Sequence, residues 1–166
     1  MPENSTSGYS RYPRIGSHRE VDSFREHLHS LCADIPVDDA ILPAPESPLA
    51  RDLRLCGKVA SNRWAIQPME GWDGQEDGAP AELTLQRWRR FGLSGAQLIW
   101  GGEAVAVEAE GRANPNQLVI AGNTLAGLGS LRQALLDAHR ERFGAGGEPV
   151  VGLQLTHSGR YARPSR

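Results

Sequence analysis

The sequence predicts an α/β fold built on a parallel sheet, and three observations carry that expectation. Short apolar runs at WAIQP, AQLIW and PVVGLQL alternate with two segments of helical periodicity, in the order strand, helix, strand, helix, strand. The runs lack clean in–out alternation, as expected of strands covered on both faces. Polar, Gly-rich stretches follow each run: MEGWDG, GGEA and THSGR. That is where α/β folds place their sites. A doubly wound sheet and a (β/α)8 barrel both satisfy this pattern.

The elements follow in chain order. The opening MPENSTSGYSRYPRIGS has no apolar core and reads as a flexible polar arm rather than a signal peptide. Val21, Phe24, Leu28 and Leu31 recur at steps of three and four, which predicts a helix over 18–31. His27 and His29 point to different sides of it and read as solvated. DIPVDDAILPAPESP is a Pro- and Asp-rich loop, and LRLCGKVASNR reads as a hairpin around Gly57. WAIQP is a buried strand stopped by Pro68. ELTLQRWRRFGLSG places Leu85, Trp88 and Phe91 on one helical face, with Arg87, Arg89 and Arg90 on a solvated one, and Gly92 or Gly95 ends it. AQLIW is the second strand, with Trp100 as core or wall, and residues 101–122 form a long connection. Leu125, Leu128, Leu131, Leu135 and Ala138 mark another helix, with Thr124 as N-cap and Gly144 as stop. PVVGLQL is the third strand.

The 166 residues fit about one domain, and 18 basic against 20 acidic residues give a net charge of −2. That balance points to neither a nucleic-acid nor a membrane surface. Cys32 and Cys56 form no CxxC and no metal-ligand spacing, so they read as free thiols in a reducing cytoplasm. No apolar run approaches the ~18 residues of a membrane span. No GxGxxG or Walker glycine pattern follows any strand.

Four stretches, NRWAIQPM, ELTLQRWRRFGLSGAQLIWGGEAVAV, EGRANPNQL and GLQLTHSGR, together resemble the Old Yellow Enzyme family of NADH:flavin oxidoreductases. The family includes ene-reductases and 2,4-dienoyl-CoA reductase-like enzymes, and the resemblance covers residues 47–166. It implies a flavoprotein with a (β/α)8 TIM barrel that binds FMN at the C-terminal ends of its strands. NAD(P)H serves as hydride donor and an activated alkene, an enone or enoyl compound, as substrate. Pro68 and Met69 match the family's P-M against the flavin ring. Glu70 falls where relatives carry a small residue that tunes the flavin; it either acts there as a charge or points to solvent or caps the next segment. Trp72 falls near a position where some relatives carry Tyr. Gly102 matches the glycine that lets the flavin approach the backbone. Gln154 matches the glutamine that pairs with the flavin's pyrimidine edge, for which an amide supplies both donor and acceptor. His157 and Arg160 belong to a stretch that is mainly architectural in the family.

The resemblance thus implies a partial (β/α)8 barrel, its first three strands, with an N-terminal helix and hairpin. Residues 1–46 would be the polar arm and helix, and residues 47–166 a truncated N-terminal portion of the flavin-binding barrel. The family's catalytic residues, its phosphate site and, in some relatives, iron–sulfur cysteines would lie beyond residue 166. The expected function is FMN-dependent, NAD(P)H-linked reduction of activated C=C bonds in a cytoplasmic full-length parent. The fragment itself would be inactive. The alternative is a non-catalytic partial barrel that acts only by pairing with another chain.

Overall fold

A computed structural model describes residues 13–165, in two compact units, Met1–Leu42 and Pro43–Arg166. Most of the expected polar arm lies outside the described residues, and its last part forms a 3-10 turn at Ile15–Ser17.

In the first unit the 3–4 spacing gives helix α1, Val21–Ser30, with Asp22 in its first turn and Leu28 buried. Arg25 pairs with Asp22 at 3.2 Å and Asp39 at 2.7 Å. Two expectations change here. His27 is not simply solvated but half-buried, its ring stacked on His18 with centroids 5.0 Å apart. Leu31 falls just past the helix end and is exposed.

The second unit opens with the expected hairpin. Strands β1, Leu53–Leu55, and β2, Lys58–Ala60, pair antiparallel. The two residues between them, Cys56 and Gly57, have φ of 49° and 78°. Two positive φ values in a row give the turn geometry that matches strand twist. Both cysteines are free and exposed.

Strand β3, Ala65–Ile66, leads through a Gly-rich loop to α2, Glu82–Leu93. Strand β4, Leu98–Ile99, follows, then β5, Ala104–Ala106, and α3, Leu125–Phe143. The last strands are β6, Val150–Val151, and β7, Gln154–Thr156. Strands β3, β4 and β6 form a parallel sheet in sequence order, with Ile66, Ile99 and Val151 in register. Strands β5 and β7 form a second parallel pair. The predicted second strand therefore resumes as β5 beyond Gly101, inside a stretch read as connection. The predicted third strand divides at Gly152.

Helices α2 and α3 pack together over the sheet, and Trp88, Ile99, Val105, Leu118, Leu131 and Leu135 share one core. Burial of this set on a single apolar face is the main favourable term for the unit. Gly92 does not end α2. It sits buried within the helix, where a Cβ would strike the Leu135 carbonyl. Gly95, with φ of 78°, follows the helix end instead. Gly144 caps α3 as expected, with φ of 82°. Thr124 precedes α3 without capping it, because its hydroxyl turns back to donate to the Val119 carbonyl at 2.6 Å.

Coverage of both sheet faces is not observed among the described residues. Trp100 and Leu155 are exposed, so Trp100 is not core. The described strands form no closed barrel. Among the described residues no helix is long and apolar enough to cross a membrane.

Candidate functional site

The C-terminal ends of the parallel strands converge on one corner. Pro68 and Met69 follow β3, Gly101 and Gly102 follow β4, and Gln154 opens β7. Backbone bonds tie the ends together. Ala104 N–H donates to the Met69 carbonyl at 3.1 Å, and Gln154 N–H to the Glu103 carbonyl at 3.2 Å.

Gly101 and Gly102 are both buried at this corner and are packed against different parts of the chain. A Cβ on Gly101 would lie 2.6 Å from the Gln154 amide nitrogen and 3.0 Å from Pro68 Cβ. Its φ of 56° also favours glycine. Gly102 faces the core, where a Cβ would meet Ile99 at 3.0 Å and Trp88 at 3.4 Å. Gln154 and Met69 are exposed at this corner. Among the described residues the Gln154 side-chain amide has no hydrogen-bond partner, so a donor and an acceptor are free together.

The turn after Met69 is fixed from beneath by side chains that periodicity does not reveal. Asn114, fully buried, donates to Glu70 Oε1 at 3.0 Å and to the Gly71 carbonyl at 3.1 Å. Its own carbonyl accepts from Asn116 N–H at 2.9 Å, which fixes the amide's orientation. Glu70 is thus exposed yet tethered. Glu103, with no exposed surface, accepts from Gly71 N–H at 2.7 Å and pairs with Arg87 at 2.5 Å. Arg87 also grips Asp73 through Nε at 2.9 Å and Nη2 at 2.7 Å. The Thr84 hydroxyl donates to the Asp73 carbonyl at 2.8 Å, which seats this loop on the first turn of α2.

The arginines of RWRR are therefore not one solvated face. Arg89 and Arg90 are exposed, whereas Arg87 is drawn inward. Burial alone would lower the Arg87 pKa, but bonds to Asp73 and Glu103 hold it above its ordinary value. Hydrogen bonding from Arg87 holds Asp73 below the usual carboxylate range. Burial pushes Glu103 upward, against the pull of Arg87. The legible signal for Glu103 was an acid set inside the apolar run GGEAVAV.

His157 and Arg160 hold local structure. The His157 ring lies against Gly111, where a Cβ would sit 2.5 Å away, and its Nδ1 accepts from Gly159 N–H at 3.0 Å. Arg160 donates to the Tyr161 hydroxyl at 2.6 Å. Buried Arg112 joins three stretches of chain, donating to the carbonyls of Ala109, Glu76, Pro115 and Pro164. No group of three or more metal-ligating side chains gathers among the described residues, and nothing supports an iron–sulfur cluster in them.

No sequence-family profile matches the chain, and no curated protein sequence does. Solved structures do match. The Old Yellow Enzyme from Trypanosoma cruzi is 25% identical, with a TM-score of 0.53 over 69% of this chain and 28% of that one. Morphinone reductase is 24% identical, with a TM-score of 0.55 over 69% of this chain and 28% of that one. The Old Yellow Enzyme from Pichia sp. AKU4542 is 14% identical, with a TM-score of 0.59 over 72% of this chain and 29% of that one. The chain thus spans less than a third of the length of these structures. Over about 70% of its length the chain thus shares the architecture of Old Yellow Enzyme structures.

Proposed function

We propose that this chain supplies the pyrimidine-edge corner of an FMN site in an NAD(P)H-linked reductase of activated carbon–carbon double bonds. The observation that carries the reading is the convergence of Pro68, Gly101 and Gln154 at the strand ends, where the exposed Gln154 amide makes no side-chain hydrogen bond among the described residues. The residues fit the group. Gln154 offers a donor and an acceptor to the row of carbonyl and N–H groups on the flavin edge. Pro68 and Met69 supply an apolar wall at the end of β3. Glu70, held by Asn114, keeps a carboxylate at the same turn. When bound, FMN supplies hydride transfer from the nicotinamide to the alkene.

On this reading the groups that grip substrate, donate the proton and anchor the flavin phosphate are not among the described residues. Expressed alone, the chain is expected to be colourless and to show no NADPH-dependent alkene reduction. A form extended through the remaining strands is expected to be yellow and active. In that form Gln154→Leu should weaken FMN binding by about 1–3 kcal/mol, the cost of an unpaired buried polar group. An unchanged FMN titration removes Gln154 from the site.

A second reading rests on the sheet edges. Among the described residues β3 and β6 each leave one edge unpaired, and an apolar cavity of about 330 Å³ opens beside β6, lined by Leu128, Val151 and Leu153. Open edges of this kind recruit further strands. A partner chain in place of a covalent extension would complete the same site. Co-purification of this chain with a β/α partner, and FMN binding only by the pair, distinguishes this reading from the first.

A further inference from the structure

A second cleft of about 360 Å³ lies on the loops of the same unit, lined by Trp72, Ala113, Arg160, Tyr161, Ala162 and Arg163. Neither Trp72, 67% exposed, nor Tyr161, 70% exposed, is covered by the core. The Arg160 guanidinium lies 4.7 Å from the Tyr161 ring centroid and donates to its hydroxyl at 2.6 Å. This contact fixes a long side chain that would otherwise be mobile. The hydroxyl accepts that bond, so its own proton is free to be donated. Neither Arg160 nor Arg163 has a carboxylate partner among the described residues. Arg87, Arg25 and Arg140, by contrast, each hold two. The cleft therefore combines two uncompensated guanidiniums, a phenol donor and two aromatic side chains, and its volume falls in the range of small-ligand sites.

We propose that this cleft binds a planar aromatic ring carrying a carboxylate or phosphate. Guanidinium groups present paired N–H donors that match both anions. The exposed indole and phenol rings offer apolar faces to a flat ring. A neutral aromatic compound would leave the charge unanswered, and a bare anion would leave the rings unused. The proposal stands apart from the flavin reading, since it uses none of Pro68, Gly101 and Gln154.

The test is calorimetric titration of the 166-residue chain with benzoate, phenyl phosphate, benzamide and inorganic phosphate. Benzoate or phenyl phosphate should saturate, whichever binds tighter naming the anion. Benzamide and inorganic phosphate should each bind at least about tenfold more weakly, the scale of one lost charge-assisted contact. Arg160→Gln and Trp72→Leu should each weaken the aromatic anion about tenfold, and Arg89→Gln, a remote surface charge, should leave it unchanged. Equal affinity for benzamide and benzoate overturns the proposal. So does indifference to Arg160→Gln, or no saturation by either aromatic anion at about 10 mM. Benzoate binding by the chain with no FMN binding by its extended form sinks the flavin reading alone, and FMN binding by the extended form with no benzoate binding by the chain sinks this one alone.

Discussion

Arg87 and Glu103 form an ion pair 2.5 Å long in which the carboxylate has no exposed surface. The same guanidinium nitrogen reaches Asp73 at 2.7 Å. One cation thus joins helix α2, the loop after β3 and the segment entering β5. Removing it strands a buried charge. Arg87→Met is expected to destabilise the chain by about 3–5 kcal/mol, read from the urea midpoint. Glu103→Gln should cost less, because Arg87 keeps Asp73 and a Gln oxygen still accepts from Gly71 N–H. Equal effects of the two substitutions would mean that Asp73 contributes nothing.

The triad also sets two opposed pH dependences. Asp73 has a lowered folded-state pKa, through its Arg87 hydrogen bonds first. Its contribution is present above the ordinary aspartate value and is lost as pH falls through the depressed one. Glu103 has a raised pKa, through burial first. The folded state therefore holds its proton longer, and stability declines as pH rises from the ordinary glutamate value through the raised one. Melting temperature measured across acid pH should flatten on its low side in Asp73→Asn and on its high side in Glu103→Gln. Unchanged profiles in both variants would disconnect the triad from acid stability.

At Gly101 backbone and space agree. With φ of 56° and a Cβ position 2.6 Å from the Gln154 nitrogen, Gly101→Ala is expected to cost at least about 1–2 kcal/mol and to displace the opening of β7. Gly122→Ala meets nothing within 4 Å and serves as the neutral control. Chemical denaturation gives the cost, and the Gln154 amide shift in an NMR spectrum reports the displacement. A Gly101→Ala variant as stable as the parent would contradict the close approach.

Glu70 carries the charge of the candidate corner, and Asn114 holds it there at 3.0 Å. In FMN-loaded, extended protein, Glu70→Gln should raise the flavin's reduction potential, because a negative charge disfavours a ring that becomes anionic on reduction. Asn114→Ser should alter the potential only while Glu70 is present, a coupling that a double-mutant cycle isolates. Spectroelectrochemistry showing no shift for Glu70→Gln places its carboxylate away from the ring.

Much of this architecture could be read from the chain, for local reasons. WAIQP and AQLIW announce strands by apolar content and by the proline or glycines that stop them. The hairpin is legible because only a residue pair tolerant of positive φ can join strands so tightly, and Gly57 supplies one of the pair. The corner itself was reached through motifs: Pro68, Met69 and Gln154 do lie together. What escaped the reading was long-range. Helical spacing sorts Arg87 with Arg89 and Arg90, and nothing in that spacing shows Asp73 and Glu103 arriving from two other segments. Likewise Gly101 and Gly102 are adjacent identical residues, and only the approach of β7 tells them apart. The division of the second and third strands is of the same kind, since it is set by the pairing of β5 with β7.

Arg112 fastens its surroundings in a different currency from Arg87. Its partners are carbonyls of Ala109, Glu76, Pro115 and Pro164, one of them 52 residues away. A carbonyl has no proton to gain, so acid has no means of loosening these bonds, whereas protonation of Asp73 releases its part of the grip of Arg87 at the neighbouring turn. Acid should therefore open this unit asymmetrically. The turn after β3 comes free first, while the segment reaching Pro164 stays pinned to the loop that carries Arg112. Two clasps of the same residue type thus give the chain one seam that titrates and one that does not.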